Sequence, residues 1–264
     1  GPRRSKSTTE RPRAARCSAV LPPTMPAPRT TTSVFMRRIL RHAPGFGKPC
    51  KRRIQRWTRP PPDFDMPLPL LQPVTLEGEV VRLEPLAAEH ADALAGVGLH
   101  PELWRLQPEP LETADDMRRY VERALAAQRD GTCLPFVIVQ QSSGQIIGAT
   151  RYMDIALAHK RLEIGATWLT PAAQRSGANT EAKFLLLQHA FETIGIIRIV
   201  FKTELGNTQS RQAILRIGGV EEGVFRKHLI AQSGRTRDMV YYAILDEDWP
   251  AVKARLQARM HRPQ

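Results

Sequence analysis

The sequence predicts a mixed α/β sandwich, a mostly antiparallel sheet flanked by helices, over residues 66–264. Two observations carry this. Three strand-like runs, 134–141, 146–155 and 161–169, follow one another across short turns. A strand–helix–strand crossover and two further strands come after them, giving the order β-α-α-β-β-β-α-β-α-β-β-α with no internal repeat.

The elements follow in order. "EVVRLEPL" (79–86) alternates as a half-buried strand does, and "AAEHADALAGVG" (87–98) has a helical pattern ending in glycine. "TADDMRRYVERALAAQRDG" (113–131) carries both helix signals: Thr113 with Asp116 fits a capping box, and Gly131 fits the position past the last turn. "LPFVIVQQ" and "IIGATRYMDI" flank the turn "SSGQ" and form a hairpin. "RLEIGATWL" (161–169) is the third strand, ended by Pro171. In the helix that follows, Phe184, Leu187, Phe191 and Ile194 recur on one face, Lys183, Gln188 and Glu192 fall away from it, and Gly195 ends it. "IIRIVFKTEL" (196–205) is a strand. "NTQSRQAILRIGG" (207–219) is a short helix with Asn207 as N-cap. Strands 220–232 and 235–245 turn about "SG", and 246–260 is a last helix.

Charge divides the chain. Residues 1–65 hold 16 Lys and Arg against three acids, so the whole net charge of +13 lies there and the rest is neutral. This quarter is rich in Pro, Ser, Thr and Arg, with too few apolar residues to offset the entropy of ordering, and reads as a disordered extension. Other readings stay open. Met66 stands just before the ordered pattern in a chain that begins at Gly1, so the stretch fits text translated upstream of a true start. An Arg-rich, acid-poor leader resembles a transit peptide, and "KRRIQR" (51–56) suits nucleic acid or an anionic membrane. No apolar run reaches the ~18–20 residues of a membrane span, and no secretory signal is present. Cys133 alone falls in the body, so an internal disulfide and a cysteine metal cage are excluded there. The body reads as cytoplasmic and metal-free.

The stretch "QRSGANTEAK" opens the helix after the third strand with small and polar residues. A helix start exposes unpaired N–H donors and the positive end of the macrodipole. Small residues let an anion approach that backbone, so Gln174, Arg175, Ser176, Gly177, Ala178, Asn179 and Thr180 form a candidate phosphate cradle. The alternative is an ordinary cap, with Asn179 or Thr180 in that role.

With that order of elements, "LEIGATWLTPAAQRSGANTEAKFLLLQHAFE" and "NTQSRQAILRIGGVEEGVFRKHLIAQSGRTRDMVYYAILDEDWPAVK" resemble the GNAT acyltransferases, and within them the RimJ/RimL-like branch that acetylates protein N-termini. The likeness covers about residues 68–260. It implies a splayed sheet with acetyl-CoA as co-substrate, wedged between strand 161–169 and the strand at 197–205. The family pattern Q/R-x-x-G-x-G/A is met by Gln174 and Gly177 and departs at Asn179, where side-chain donors stand in for bare backbone. The resemblance also implies that Asn207 bonds the pantetheine arm besides capping its helix. Ser210 would protonate the leaving thiolate, where the alternative is a solvent-facing serine. Trp168 and Leu169 would present backbone N–H groups to the thioester at a bulge. Glu163 would be the base that deprotonates an acceptor ammonium, the alternative being a strand-face charge paired with Arg161 or another cation. Tyr152, Asp154 and Trp104 are candidates for the acceptor pocket or for packing, and His189 and His228 have no metal partners at ligand spacing.

The function so implied is acetyl transfer to a primary amine, a protein N-terminus or a small molecule, by direct attack in a ternary complex. The alternatives are a non-catalytic acyl-CoA-binding or interaction module, and a nucleic-acid arm in the tail. Oligomeric state stays open, a homodimer included.

Overall fold

The computed structural model describes Gly1 and residues 71–261 other than Pro108. Apart from Gly1, the reading of 1–65 as an extension lies outside the described residues. The elements are β1 (Leu76–Glu77), β2 (Val81–Pro85), α1 (His90–Gly98), α2 (Pro101–Trp104), α3 (Ala114–Arg129), β3 (Cys133–Gln140), β4 (Ile146–Ala156), β5 (Arg161–Leu169), α4 (Ala178–Gln188), β6 (Arg198–Glu204), α5 (Thr208–Arg216), β7 (Val220–Ile230), β8 (Thr236–Leu245) and α6 (Trp249–Met260). The sequence does not signal β1 and α2, which are two and four residues long.

Eight strands form one sheet in the order β1-β2-β3-β4-β5-β6-β8-β7. Every neighbouring pair is antiparallel except β5 and β6. That parallel pair is the crossover through α4. One face of the sheet carries Tyr152, Leu162, Ile199 and Tyr242 against α4, α5 and α6. The other carries Val137, Ala149 and Trp168 against α1 and α3.

Local chemistry explains the boundaries. Asp116 N–H donates to Thr113 Oγ1 at 3.1 Å and Thr113 N–H donates to Asp116 Oδ2 at 2.8 Å, closing the expected capping box of α3. Met117, Val121 and Ala124 then turn inward at helical spacing. Glu181 of α4 is buried, and its carboxylate accepts from the backbone N–H groups of Glu79, Val80 and Val81 at 2.9, 2.7 and 2.7 Å. This ties α4 to the start of β2. A Cβ on Gly78 would come within 2.6 Å of that carboxylate, so the β1–β2 turn takes glycine for lack of room.

Two expectations about α4 are corrected. Lys183 does not face solvent but is 6 % exposed, because α4 is packed between the sheet, β2 and α6. The helix also changes winding: His189–Ile194 is a π-helical turn, ended by Gly195 at φ 76°. Its wider turn alters which residues share a face, so one 3.6-residue pattern could not describe the whole segment.

Candidate active site

The site begins where the sheet divides. β5 and β6 pair only at Arg161–Arg198, Leu162–Ile199 and Glu163–Val200. Beyond Glu163 the strands part and leave a cleft of about 1190 Å³. Among the residues singled out from the sequence, Glu163, Trp168, Leu169, Gln174, Arg175, Ser176, Asn179, Thr180, Asn207 and Ser210 line it. Gly177 and Ala178 lie behind that lining, Gly177 as the N-cap of α4 and Ala178 buried at its first position.

The cradle is built by a chain of turns. Thr170 caps the 3-10 turn Pro171–Ala173, and Gln174 Nε2 donates to Leu169 O at 3.1 Å, fastening the loop to the end of β5. Arg175 adopts a left-handed backbone at φ 62°. Ser176 Oγ donates to Ala173 O at 2.7 Å and accepts from Ala178 N–H at 3.2 Å. The helix therefore starts at Ala178, and neither Asn179 nor Thr180 is its cap; both sit in its first turn. Among the described residues, the N–H groups of Arg175, Ser176, Gly177, Asn179 and Thr180 meet no protein acceptor. Such a cluster of donors at the positive end of a helix suits a diphosphate.

Two bulges flank Glu163. On β5, the register against β4 slips between Ala149–Trp168 and Arg151–Gly165, and Ala166 is left-handed at φ 47°. This bulge falls two residues before the strand end where the sequence reading put it. Trp168 and Leu169 pair with Ala149 and Gly148. The Trp168 ring is buried against Trp104 with centroids 5.7 Å apart, and its Nε1 has no acceptor among the described residues. On β4, the register slips again between Met153 and Ala156, and Asp154 takes φ 48°.

Glu163 is 3 % exposed on the sheet face that neither α4 nor α6 covers. Its Oε2 lies 2.8 Å from Lys202 Nζ, so its cation is Lys202 of β6 rather than the exposed Arg161. Lys202 also reaches Asp154 Oδ2 at 3.2 Å. Burial dominates and pushes Glu163 up to about 7, against the opposing pull of Lys202 and with a smaller push from Asp154. A carboxyl at that value can exchange a proton near neutrality.

Asn207 caps α5, accepting from Ser210 N–H at 3.1 Å, which leaves its amide nitrogen free to donate. The Ser210 hydroxyl has no protein partner among the described residues and opens on the cleft. Gln209 Nε2 donates to Gln174 Oε1 at 3.4 Å, so α5 and the cradle touch across the mouth. Of the acceptor-pocket candidates, Tyr152 is fully buried with its hydroxyl donating to Leu186 O at 2.6 Å, a core residue. Trp104 is buried at the cleft's edge, with its Nε1 donating to Gly98 O. Asp154 lies outside the large cleft, in a second opening. His189 stacks on Tyr152, and His228 meets Tyr241 Oη at 2.8 Å.

Lys183 and Lys202 escaped the sequence reading. Lys183 Nζ donates to Thr150 Oγ1 at 3.3 Å and to Thr167 Oγ1, bracing the β5 bulge from below, and burial lowers it to about 7. Lysines in helix and strand patterns read as solvent-facing, and nothing local marks these two as buried. Cys133 is buried away from the cleft lining, and burial pushes its thiol up, which opposes nucleophilic use. None of the described helices is long and apolar enough to cross a membrane, and no cluster of metal-ligating side chains occurs among the described residues.

A sheet that splits beside a helix start rich in free donors forms a cleft suited to a phosphate-bearing ligand. Residues 81–220 match the family model of an acetyltransferase (GNAT) domain, and the chain belongs to that family of N-acetyltransferases. Its relatives support the RimJ/RimL-like branch. It is 25% identical over 172 residues to the ribosomal-protein-serine acetyltransferase of Escherichia coli, covering 64% of this chain and 94% of that one. It is 31% identical over 110 residues to a Bacillus subtilis protein carrying the name ribosomal N-acetyltransferase YdaF, covering 42% of this chain and 59% of that protein. Mycobacterium smegmatis RimJ, solved in complex with CoA-disulfide, superposes with a TM-score of 0.62 at 26% identity, covering 71% of this chain and 95% of that one.

Proposed function

We propose that this enzyme moves an acetyl group from acetyl-CoA to the free amine of a protein N-terminus in the cytoplasm, by direct attack in a ternary complex. The observation that carries the reading is Glu163, buried at the fork of β5 and β6 and held near neutral pKa. Acetyl-CoA supplies an acetyl group already activated as a thioester. The free N–H groups at 175–180 would hold its diphosphate, and the Asn207 amide its pantetheine arm. Backbone N–H groups on the cleft edge of β5, near Trp168 and Leu169, would take the charge that develops on the carbonyl oxygen. Glu163 accepts the proton an ammonium must lose before it can attack, and Ser210 gives one to the departing sulfur. Cys133, the cysteine among the described residues, is buried away from the cleft lining, so no thiol there carries a covalent acyl group. The names of the relatives support a ribosomal protein as acceptor.

The test is acetyl transfer to peptides with N-terminal serine or alanine, set beside small amines and followed by thiol release. Glu163→Gln is expected to keep CoA affinity and to lose roughly 10²–10⁴ in kcat. Wild-type rates rise as Glu163 ionises through about 7, and the variant's deficit shrinks at higher pH as free amine accumulates. A folded variant with wild-type rates across that range would reduce Glu163 to a partner of Lys202. Transfer to small amines alone would overturn the acceptor.

A further inference from the structure

Glu163 borders two openings. One is the large cleft; the other, of about 380 Å³, lies on its far side and is lined by Asp154, Arg161, Glu163, Arg198, Val200 and Tyr241. Strict alternation along β4 would turn Asp154 to the same face as Tyr152, into the core. The extra residue between Met153 and Ala156, with Asp154 at φ 48°, turns it to the face of Glu163 instead. The two carboxyls share one cation and the lining of the second opening. Lys202 fixes both, at 2.8 and 3.2 Å. The Glu163 side chain is 4 % exposed and that of Asp154 56 %.

The reaction needs such a path. An ammonium that ends as an amide sheds two protons as the C–N bond forms and the C–S bond breaks. One leaves with the thiol. The other goes to the base, which must pass it to water before the next turnover. Glu163 itself has almost no solvent contact, and substrates seated in the large cleft would leave the second opening as its way to water. We propose that Asp154 is the proton outlet of this active site, a positioning and relay residue that takes the proton from Glu163 and releases it through the second opening. The proposal rests on the reading of Glu163 as the base.

The surroundings suit a carboxylate that stays ionised until it receives a proton. Arg161 comes from β5, Arg198 and Lys202 from β6, and Tyr241 from β8 with His228 behind it on β7. Arg198 is engaged by Glu222, which leaves Lys202 as the cation that bridges the two acids. Burial favours the proton on Asp154, and the pull of Lys202, aided by Glu163 and Arg161, outweighs it, so its carboxyl sits below the usual range. The proton therefore does not linger there.

The experiment compares Asp154→Asn and Asp154→Gly with wild type and Glu163→Gln. Asn and Gly both tolerate a left-handed backbone, which preserves the fold. Turnover of acetyl-CoA with an N-terminal-serine peptide is measured near neutral pH over a wide range of imidazole at fixed ionic strength, beside thermal melts. Both Asp154 variants are expected to run roughly 10–100-fold slowly at low imidazole and to recover as imidazole rises, since a diffusible base replaces the missing carboxylate. Wild type stays flat, and KM for acetyl-CoA is unchanged. Asp154 variants at the wild-type rate in trace imidazole, with Glu163→Gln slow, would overturn the outlet and leave the base standing. So would a deficit that imidazole does not touch. A fast Glu163→Gln would remove the base and the outlet together.

Discussion

Ser210 sits in the first turn of α5 with its backbone N–H already committed to Asn207 Oδ1, so its hydroxyl is not needed for the cap. Ser210→Ala is therefore expected to melt at the wild-type temperature. It is expected to lose up to about 10² in kcat, the low end for a positioned acid. Unlike the loss in Glu163→Gln, this one does not recover at high pH, and it weakens with an acyl donor whose thiol is more acidic. A pH–rate profile with two thioester donors checks it. Ser210, Asn207 and Glu163, named through the family resemblance, all line the cleft, and Asn207 caps α5 as its place before the helix indicated. Asp154 was visible only as a candidate. What sets its place is one extra residue in β4, and no spacing in the sequence announces a bulge. Lys202 was hidden for a different reason. Its partners come from β4 and β5, far from it in sequence, so the pairing exists only once the parallel seam has formed.

At the scale of elements, the cradle and α4 make contrasting demands. The cradle must stay open to an anion. Gly177→Glu, which sets bulk and negative charge at the N-terminus of α4, is expected to weaken CoA binding at least about tenfold, equivalent to ~1.4 kcal/mol. The fold should persist, and calorimetry beside a thermal melt checks both. α4 itself must be covered on nearly every side, and it accepts two buried charges to do so. Glu181 is satisfied by three backbone donors, whereas Lys183 has two threonine hydroxyls and is lowered from 10.5 to about 7 by burial. A base whose folded pKa is depressed contributes stability present above its unfolded value and lost as pH falls toward the folded one. The window therefore runs from 10.5 down to about 7. Lys183→Met removes this dependence. Relative to wild type, the variant should gain stability as pH falls across that window, by something on the order of 2–4 kcal/mol. Chemical denaturation at the two ends of the window measures it. The strands and most helix limits of this region were readable from alternation and caps. The all-round burial of α4 was not, because a helix covered by sheet, strand and helix loses the polar stripe by which an amphipathic pattern is recognised.

For the molecule as a whole, the sequence separates a basic first quarter from a neutral body. The described sheet starts at Leu76, with Leu71 and Val74 packed against its core. Deleting residues 1–65 is expected to leave the melting temperature and CoA affinity nearly unchanged. A large fall in either would make that stretch part of the domain. Apart from β1 and α2, the order of elements was legible, because most strands carry their own pattern and most helices a cap or a glycine. How they meet was not written locally. The seam between β5 and β6 holds for three residue pairs, and past it the two halves of the sheet turn separate edges to the cleft. A molecule lying in that gap would meet both edges at once. Its binding would then add directly to the free energy of unfolding, by about 2.7 kcal/mol at a concentration a hundred times its dissociation constant. A bound acetyl donor would thereby also slow any degradation that passes through the unfolded chain.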